Sequence, residues 1–328
     1  MQLSYLLRRL LYMALVLLIM SIFSFIVIQL PPGDYLTTYI MTLQTQQGFV
    51  DTAQVEALRK QYGLDLPMYQ QYVYWIKNMF RGDFGWSFEW RQPVGKLIAD
   101  RLPMTVVISI LTLLFTYTVA IPIGIYSATH QYSFGDFFFT VIGFIGLATP
   151  SFFLALVLMY IFNRYLGFNV GGLFSAQYID APWSFAKFVD LLKHLPIPIF
   201  VIGLSGTASI IRIMRGCLLD ELRQQYVITA RAKGLEEKRL LYKYPVRIAI
   251  NPIISTIGWV LPGIVSGATI TAIVLDIPTV GNLLYTALLS QDTYLAGSSI
   301  MILTFLTIVG TFISDLLLAW ADPRIRYT

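Results

Sequence analysis

Pro103–Thr129, PMTVVISILTLLFTYTVAIPIGIYSAT, runs for 27 residues without an Asp, Glu, Lys or Arg. A helix needs about 20 apolar residues to cross a bilayer core, so this stretch alone predicts a membrane-spanning helix. Five more charge-free runs flank it: Leu10–Leu30, Phe137–Asn163, Leu195–Ile211, Ile248–Leu275 and Thr293–Ser314. Their lengths are 21, 27, 17, 28 and 22, so that the six runs hold 142 of the 328 residues. The rest of the composition agrees: 56% of the chain is hydrophobic and 12% charged, against about 25% charged in soluble proteins. Six spanning helices follow. A transmembrane β-barrel requires short alternating segments, which these are not. A large soluble helical bundle is disfavoured because its helices rarely run so far without a charged face. The first run follows Arg8 and Arg9 as a signal peptide would, but its 21 residues exceed the ~7–15 of such a core and no small-x-small site follows. It is read as a retained first span.

The single cysteine, Cys217, permits no intramolecular disulfide, and His130 and His194 stand alone. No metal or catalytic constellation is expected. Charge sets the orientation. With the N-terminus inside, the cytoplasmic side holds 13 basic residues, nine of them between Arg212 and Arg247. The last outside loop, Asp276–Asp292, has no Lys or Arg. An N-in, C-in topology follows from the positive-inside rule. The net charge of +5 is explained by this sorting and needs no nucleic acid.

The chain divides on this reading into an N-terminal segment with the first span (residues 1–30), an external segment (31–102) and a five-helix membrane core (103–328) with a cytoplasmic loop at 215–250. Within the external segment, Asp65 and Pro67 signal a helix start, and Tyr69, Tyr72, Val73, Ile76, Met79 and Phe80 recur at helical spacing before Arg81-Gly82-Asp83 breaks the pattern. Its aromatic density suits either a stacking surface or packing at the membrane interface. Arg164–Lys193 reads as a loop with one short amphipathic helix, Trp183–Leu192. The loop at 215–250 is the most informative part. Asp220–Ala232 favours helix, Gly234 interrupts it, and Glu236–Tyr244 reads as a second short helix before Pro245. A charged helical hairpin between the fourth and fifth spans suits docking into another protein. Ala230, Ala232 and Gly234 permit close approach, and Arg231 and Lys233 can pair with acidic groups on a partner.

Tyr226–Leu235, YVITARAKGL, resembles the coupling-loop signature of the membrane subunits of bacterial ATP-binding-cassette importers, in the dipeptide/oligopeptide permease branch. Colinear matches to that family are Leu7-Arg8-Arg9-Leu10, Tyr62–Pro67, Gly82-Asp83-Phe84-Gly85-Trp86-Ser87, Thr149-Pro150-Ser151-Phe152-Phe153, Ile277–Leu283 and Asp322–Tyr327. The chain departs from the family at Tyr244 and Ile248, where His and Asn often stand. It departs again at Ile228, Thr229 and Ala230, where the wider importer consensus reads Glu-Ala-Ala.

The resemblance implies an all-α polytopic fold, the type I importer permease with a cytoplasmic coupling helix, in the bacterial inner membrane. Its implied partners are a second homologous permease subunit, two ATPase subunits, a periplasmic or lipid-anchored substrate-binding protein and membrane lipid. ATP and Mg would be bound by the ATPase subunits, leaving this chain without cofactor or catalytic residues. The chain indeed has no G-x-x-x-x-G-K-[ST] sequence. The implied coupling residues are Thr229, Ala230, Arg231, Ala232, Lys233, Gly234 and Leu235. Gly82, Asp83 and Gly85 are the candidates for binding-protein docking, and Pro150, Ser151, Phe152 and Pro262 for lining the pathway. The glycines and prolines within the runs read equally as pathway-lining bends or as close helix packing. Short peptides are the expected substrate, with oligosaccharides the alternative. An ion-coupled secondary transporter would need ionisable groups near the membrane midplane, and the six runs contain none.

Overall fold

A computed structural model describes residues 3–30, 66–87, 89–167 and 170–321. The expected matches at Tyr62–Asp65 and Asp322–Tyr327 lie outside these residues, as does half of the external segment. Backbone polar groups cannot be left unpaired in lipid, so apolar runs of this length become helices. The helices among the described residues are α1 (Leu3–Gln29), α2 (Met68–Phe80), α3 (Val94–Thr129), α4 (Phe134–Ala148), α5 (Ser151–Leu166), α6 (Phe185–His194), α7 (Pro196–Leu222), α8 (Gln225–Ala232), α9 (Glu237–Lys243), α10 (Pro245–Val274), α11 (Val280–Leu289) and α12 (Thr293–Ala321). A two-residue antiparallel ladder pairs Trp86–Ser87 with Gln92–Pro93. Among the described residues, five helical stretches are long and apolar enough to cross a membrane, and the α4–α5 pair makes a sixth if it counts as one span.

That pair corrects the expectation of one continuous crossing over Phe137–Asn163. The chain bends by 105° between α4 and α5. Thr149 is extended (φ −91°, ψ 119°) and Pro150 leads into α5 with ψ 134°. Proline has no N–H to donate and its ring drives the preceding residue out of the helical region. Pro262 sits inside α10 without breaking it. The carbonyl it frees, that of Gly258, instead accepts from Thr311 Oγ1 of α12 at 3.3 Å.

Three further differences have local causes. α3 begins at Val94, so the expected boundary at 102/103 falls inside a helix: Lys96, Asp100 and Arg101 interrupt the apolar run, not the helix. α7 absorbs Asp220–Leu222, and the expected Asp220–Ala232 helix breaks at Arg223-Gln224, where Gln224 is extended (ψ 147°). The loop expected at Asp276–Asp292 contains α11, started by Thr279, whose hydroxyl accepts from the Asn282 N–H at 3.3 Å.

The chain separates into two compact units. The first comprises Met1–Leu6, Val106–Ile277 and Thr307–Thr328. Its core sets Ile210, Met214 and Leu218 of α7 against Ala249, Ile253 and Val260 of α10, with Ala120 of α3. Gly124 makes the α3–α7 approach possible, since a Cβ there would lie 2.6 Å from the Met214 Cβ. The second unit comprises Leu7–Thr105 and Pro278–Leu306. Val94, Leu97 and Ile98 pack there with Leu283, Ala287 and Leu295. In the same unit α2 lies on α1 through Phe25, whose ring is 5.5 Å from Tyr72 and 5.7 Å from Trp75. Tyr72 and Trp75 are therefore packing residues, whereas Tyr69, Tyr74 and Phe80 face outward.

Candidate functional site

α8 and α9 form a hairpin closed by a Schellman turn. Leu235 N–H donates to Ala230 O at 3.4 Å and Gly234 N–H to Arg231 O at 3.0 Å. Gly234 carries the left-handed residue, at φ +77°. Val227 and Leu240 are fully buried beneath this turn, with Ala230, Leu235 and Tyr244 around them. Of the signature residues, Thr229, Arg231, Ala232, Lys233 and Gly234 are exposed, while Ala230 and Leu235 turn inward. The motif thus alternates between what holds the hairpin and what it presents.

Arg231, expected to await a partner's carboxylate, is already engaged. Its Nε donates to Glu237 Oε1 at 2.5 Å and its Nη2 to Oε2 at 3.2 Å. The two meet because the turn brings the start of α9 beside the end of α8. The guanidinium holds the Glu237 carboxyl below the usual range, and the carboxylate raises Arg231 in turn. Both are exposed, and such pairs contribute little to stability in water. Burial and the Glu221 carboxylate push the Tyr226 hydroxyl up; that hydroxyl donates to Glu221 at the end of α7. Lys233, Lys238 and Arg239 remain exposed, so the hairpin's outer surface is cationic.

The hairpin's rigidity therefore rests on Leu240 rather than on the ion pair. Leu240→Ala should destabilise it by about 2–5 kcal/mol and raise amide exchange across Val227–Leu235. Glu237→Gln should leave that exchange nearly unchanged. A carboxylate with a lowered pKa stabilises above the usual range and loses that contribution as pH falls through the lowered one. Acidification should consequently open the pair without opening the hairpin. Exchange that rises as steeply in Glu237→Gln as in Leu240→Ala would refute this ranking.

A second feature lies in the same unit, a cavity of about 370 Å³ between α3, the α4–α5 bend, α7 and α10. Thr116, Thr149, Ser151, Ser205 and Ser209 supply hydroxyls, Trp259 an aromatic wall, and Gly206, Gly263 and Gly267 bare backbone. No ionisable side chain lines it. Ser151 Oγ pairs with Thr271 Oγ1 at 2.8 Å. Of the expected pathway residues, Pro150 and Ser151 line this cavity, whereas Phe152 and Pro262 are not on its wall.

The expected docking residues belong to the second unit. Gly82 (φ +80°) and Gly85 (φ +83°) are both left-handed, and Asp83 turns back to accept from the Gly85 N–H at 2.9 Å. Gly85 packs tightly: a Cβ there would meet the Tyr294 ring at 2.8 Å. Gly82 is open. Sequence reading missed the group that anchors this region, Asp292. It is fully buried. Its Oδ2 accepts from Ser87 Oγ at 2.6 Å and from Glu89 N–H at 3.3 Å, and its Oδ1 caps α12 by accepting from Leu295 N–H at 3.1 Å. The only local signal was an Asp directly before an apolar run. Among the described residues no cluster of His, Cys, Asp or Glu could hold a metal ion.

The broken span, the exposed helical hairpin and the uncharged cavity define a polytopic transport subunit. The family described as binding-protein-dependent transport system inner membrane component matches residues 120–327. The companion N-terminal family, described as binding-protein-dependent transport system membrane component, matches residues 2–109. The chain belongs to this family, and so is a multi-pass inner-membrane permease component of an ABC transport system and not its catalytic part. It is 34% identical to the oligopeptide transport system permease protein AppB of Bacillus subtilis over 99% of both chains. It is 33% identical to a putative peptide permease protein of Brucella ovis, over 99% of this chain and 100% of that one. Identity to the oligopeptide transport system permease protein OppB of Haemophilus influenzae is 30% over the same shares.

Proposed function

We propose that this chain pairs with a second homologous permease subunit to form the pathway by which short peptides enter the cell, driven by two ATPase subunits. ATP and Mg bind to those partners. The termini are cytoplasmic, as is the α8–α9 hairpin, in the region that holds nine of the 23 basic residues. The external segment, with Gly82, Asp83 and Gly85, faces the periplasm and receives the substrate-binding protein.

The observation that carries this reading is where the hairpin is inserted. It joins α7 to α10, the helices that pack on each other through Met214 and Ile253 and also wall the cavity through Gly206 and Gly263. Thr229–Leu235 engage the ATPase subunits. Closure of those subunits displaces the hairpin as a rigid piece, and the two helices carry the displacement to the cavity wall. Peptides fit the wall. Hydroxyls hydrogen-bond to amide groups common to every peptide, and the glycines leave room for its side chains. The relatives' names, oligopeptide and peptide permeases, point to the same substrate class.

Proteoliposomes containing this chain, its partner subunits and its binding protein should accumulate a labelled peptide only with ATP. Gly263→Leu should reduce that accumulation at least tenfold with assembly unchanged. A Cβ at Gly263 meets nothing within 4 Å, so the new side chain fills the cavity rather than disturbing packing. Peptide accumulation that follows a proton or sodium gradient and ignores ATP would sink the proposal.

A further inference from the structure

Arg212 is a cation that neither the hairpin nor the cavity uses. It lies on α7, one helical turn before Arg215, and is exposed. Arg215 is satisfied: its Nε and Nη2 donate to Asp136 Oδ1 and Oδ2 at 3.2 and 3.1 Å. Asp136 is satisfied too, since its Oδ2 also accepts from the Tyr132 N–H at 3.0 Å. Its side chain is 6% exposed, which leaves it no free face for Arg212. Arg212 has no ion-pair or hydrogen-bond partner among the described residues.

Beside these three charges opens a pocket of about 320 Å³ between α4 and α7. Phe137, Phe144, Leu147, Ala208 and Ile211 line its interior. Gly143 leaves room there, because a Cβ would come no nearer than 3.7 Å to Ala208. The pocket is apolar within and carries a net single positive charge at its rim. A guanidinium at the membrane end of a spanning helix attracts the anionic headgroups of the leaflet it faces. Within the membrane, the ligand that is both anionic at one end and apolar along its length is an acidic phospholipid.

We propose that this pocket binds one anionic phospholipid from the leaflet that the α3–α4 turn faces. The lipid phosphate lies on Arg212 and an acyl chain enters between Phe137 and Ala208. The Asp136–Arg215 pair fixes the rim without competing for the ligand. The pocket shares only the Leu147 wall with the cavity proposed as the pathway, and it is read by lipid binding, so its test does not depend on transport.

The test is native mass spectrometry of the assembled importer in mild detergent, titrated with phosphatidylglycerol or with phosphatidylcholine of the same chain length. One phosphatidylglycerol per chain should bind more tightly than phosphatidylcholine. Arg212→Gln should weaken phosphatidylglycerol binding about fivefold, the factor for one arginine near an anionic surface, and leave phosphatidylcholine unchanged. Gly143→Leu, which fills the interior and keeps the charge, should weaken both. Arg212→Lys should keep the preference. Equal binding of the two lipids by the unaltered importer overturns the proposal, as does an unaffected Arg212→Gln. Displacement of the lipid by glycerol phosphate at equal concentration would mean a site for free anions. Loss of the second permease subunit from Arg212→Gln would mean a protein interface. Either result also overturns it.

Discussion

Gly234→Val should abolish ATP-driven uptake while the chain still inserts and pairs with the second permease subunit, and Gly234→Asn should keep most of it. Gly234 has φ +77° and closes the hairpin's turn. A β-branched residue is strained there, whereas Asn tolerates the left-handed region. Within the chain a Cβ at this position meets nothing within 4 Å, so no internal clash explains a loss. The strain is of order 1–3 kcal/mol, enough to shift the turn but not to unfold a membrane protein. Transport should fall to background because the hairpin no longer presents Lys233 and its neighbours in a form that the ATPase subunits can grip. The assay is peptide accumulation in proteoliposomes, with insertion checked in the membrane fraction and pairing checked by co-purification of the second permease subunit. Wild-type uptake by Gly234→Val would remove the hairpin from the coupling role. Equal loss in the Asn variant would show that a side chain, not backbone strain, is what the site rejects.

Asp292→Ala should produce the largest loss of stability. One buried carboxylate accepts from Ser87 Oγ, Glu89 N–H and Leu295 N–H. Removing it strands two buried donors, Ser87 Oγ and Leu295 N–H, at about 1–3 kcal/mol each, for a total of about 2–6 kcal/mol. Thermal unfolding in detergent should shift down, and protease should cut within 86–93. Asp292→Asn offers one acceptor oxygen and can serve the α12 cap or the ladder but not both, so it should fall between. An unchanged melting temperature in Asp292→Ala would show that the carboxylate does not anchor this region.

What could be read from the sequence follows how far each interaction reaches. A charge-free run is a local property, and α1, α3, α10 and α12 cover the runs that define them to within one residue. Gly234 is also local: a glycine after TARAK marks a helix end in any context. Pro150 and Pro262 look alike in sequence and behave oppositely, because Pro262's orphaned carbonyl is met by Thr311, 53 residues away from Gly258. Arg231 and Glu237 are six residues apart, a spacing that pairs on no single helix and only across a turn of known geometry. Asp292 and Ser87 are separated by 205 positions, and no window on the sequence contains both. The expected hairpin, spans and glycine turn rest on nearest neighbours. The bend, the buried carboxylate and the occupied Arg231 rest on contacts that exist only once the chain has folded.

The break at Thr149-Pro150 has a consequence for how the importer responds to its surroundings. It places a helix end and a helix start together at the cavity wall, where Thr149, Pro150 and Ser151 lie. A helix end bears partial negative charge and a helix start partial positive charge. The wall thus offers both polarities through backbone dipoles, with no group that gains or loses a proton near neutral pH. A zwitterionic cargo meets the same electrostatic surface in acid and in alkali. If uptake follows the pathway proposed above, any acid sensitivity then originates elsewhere than in this wall.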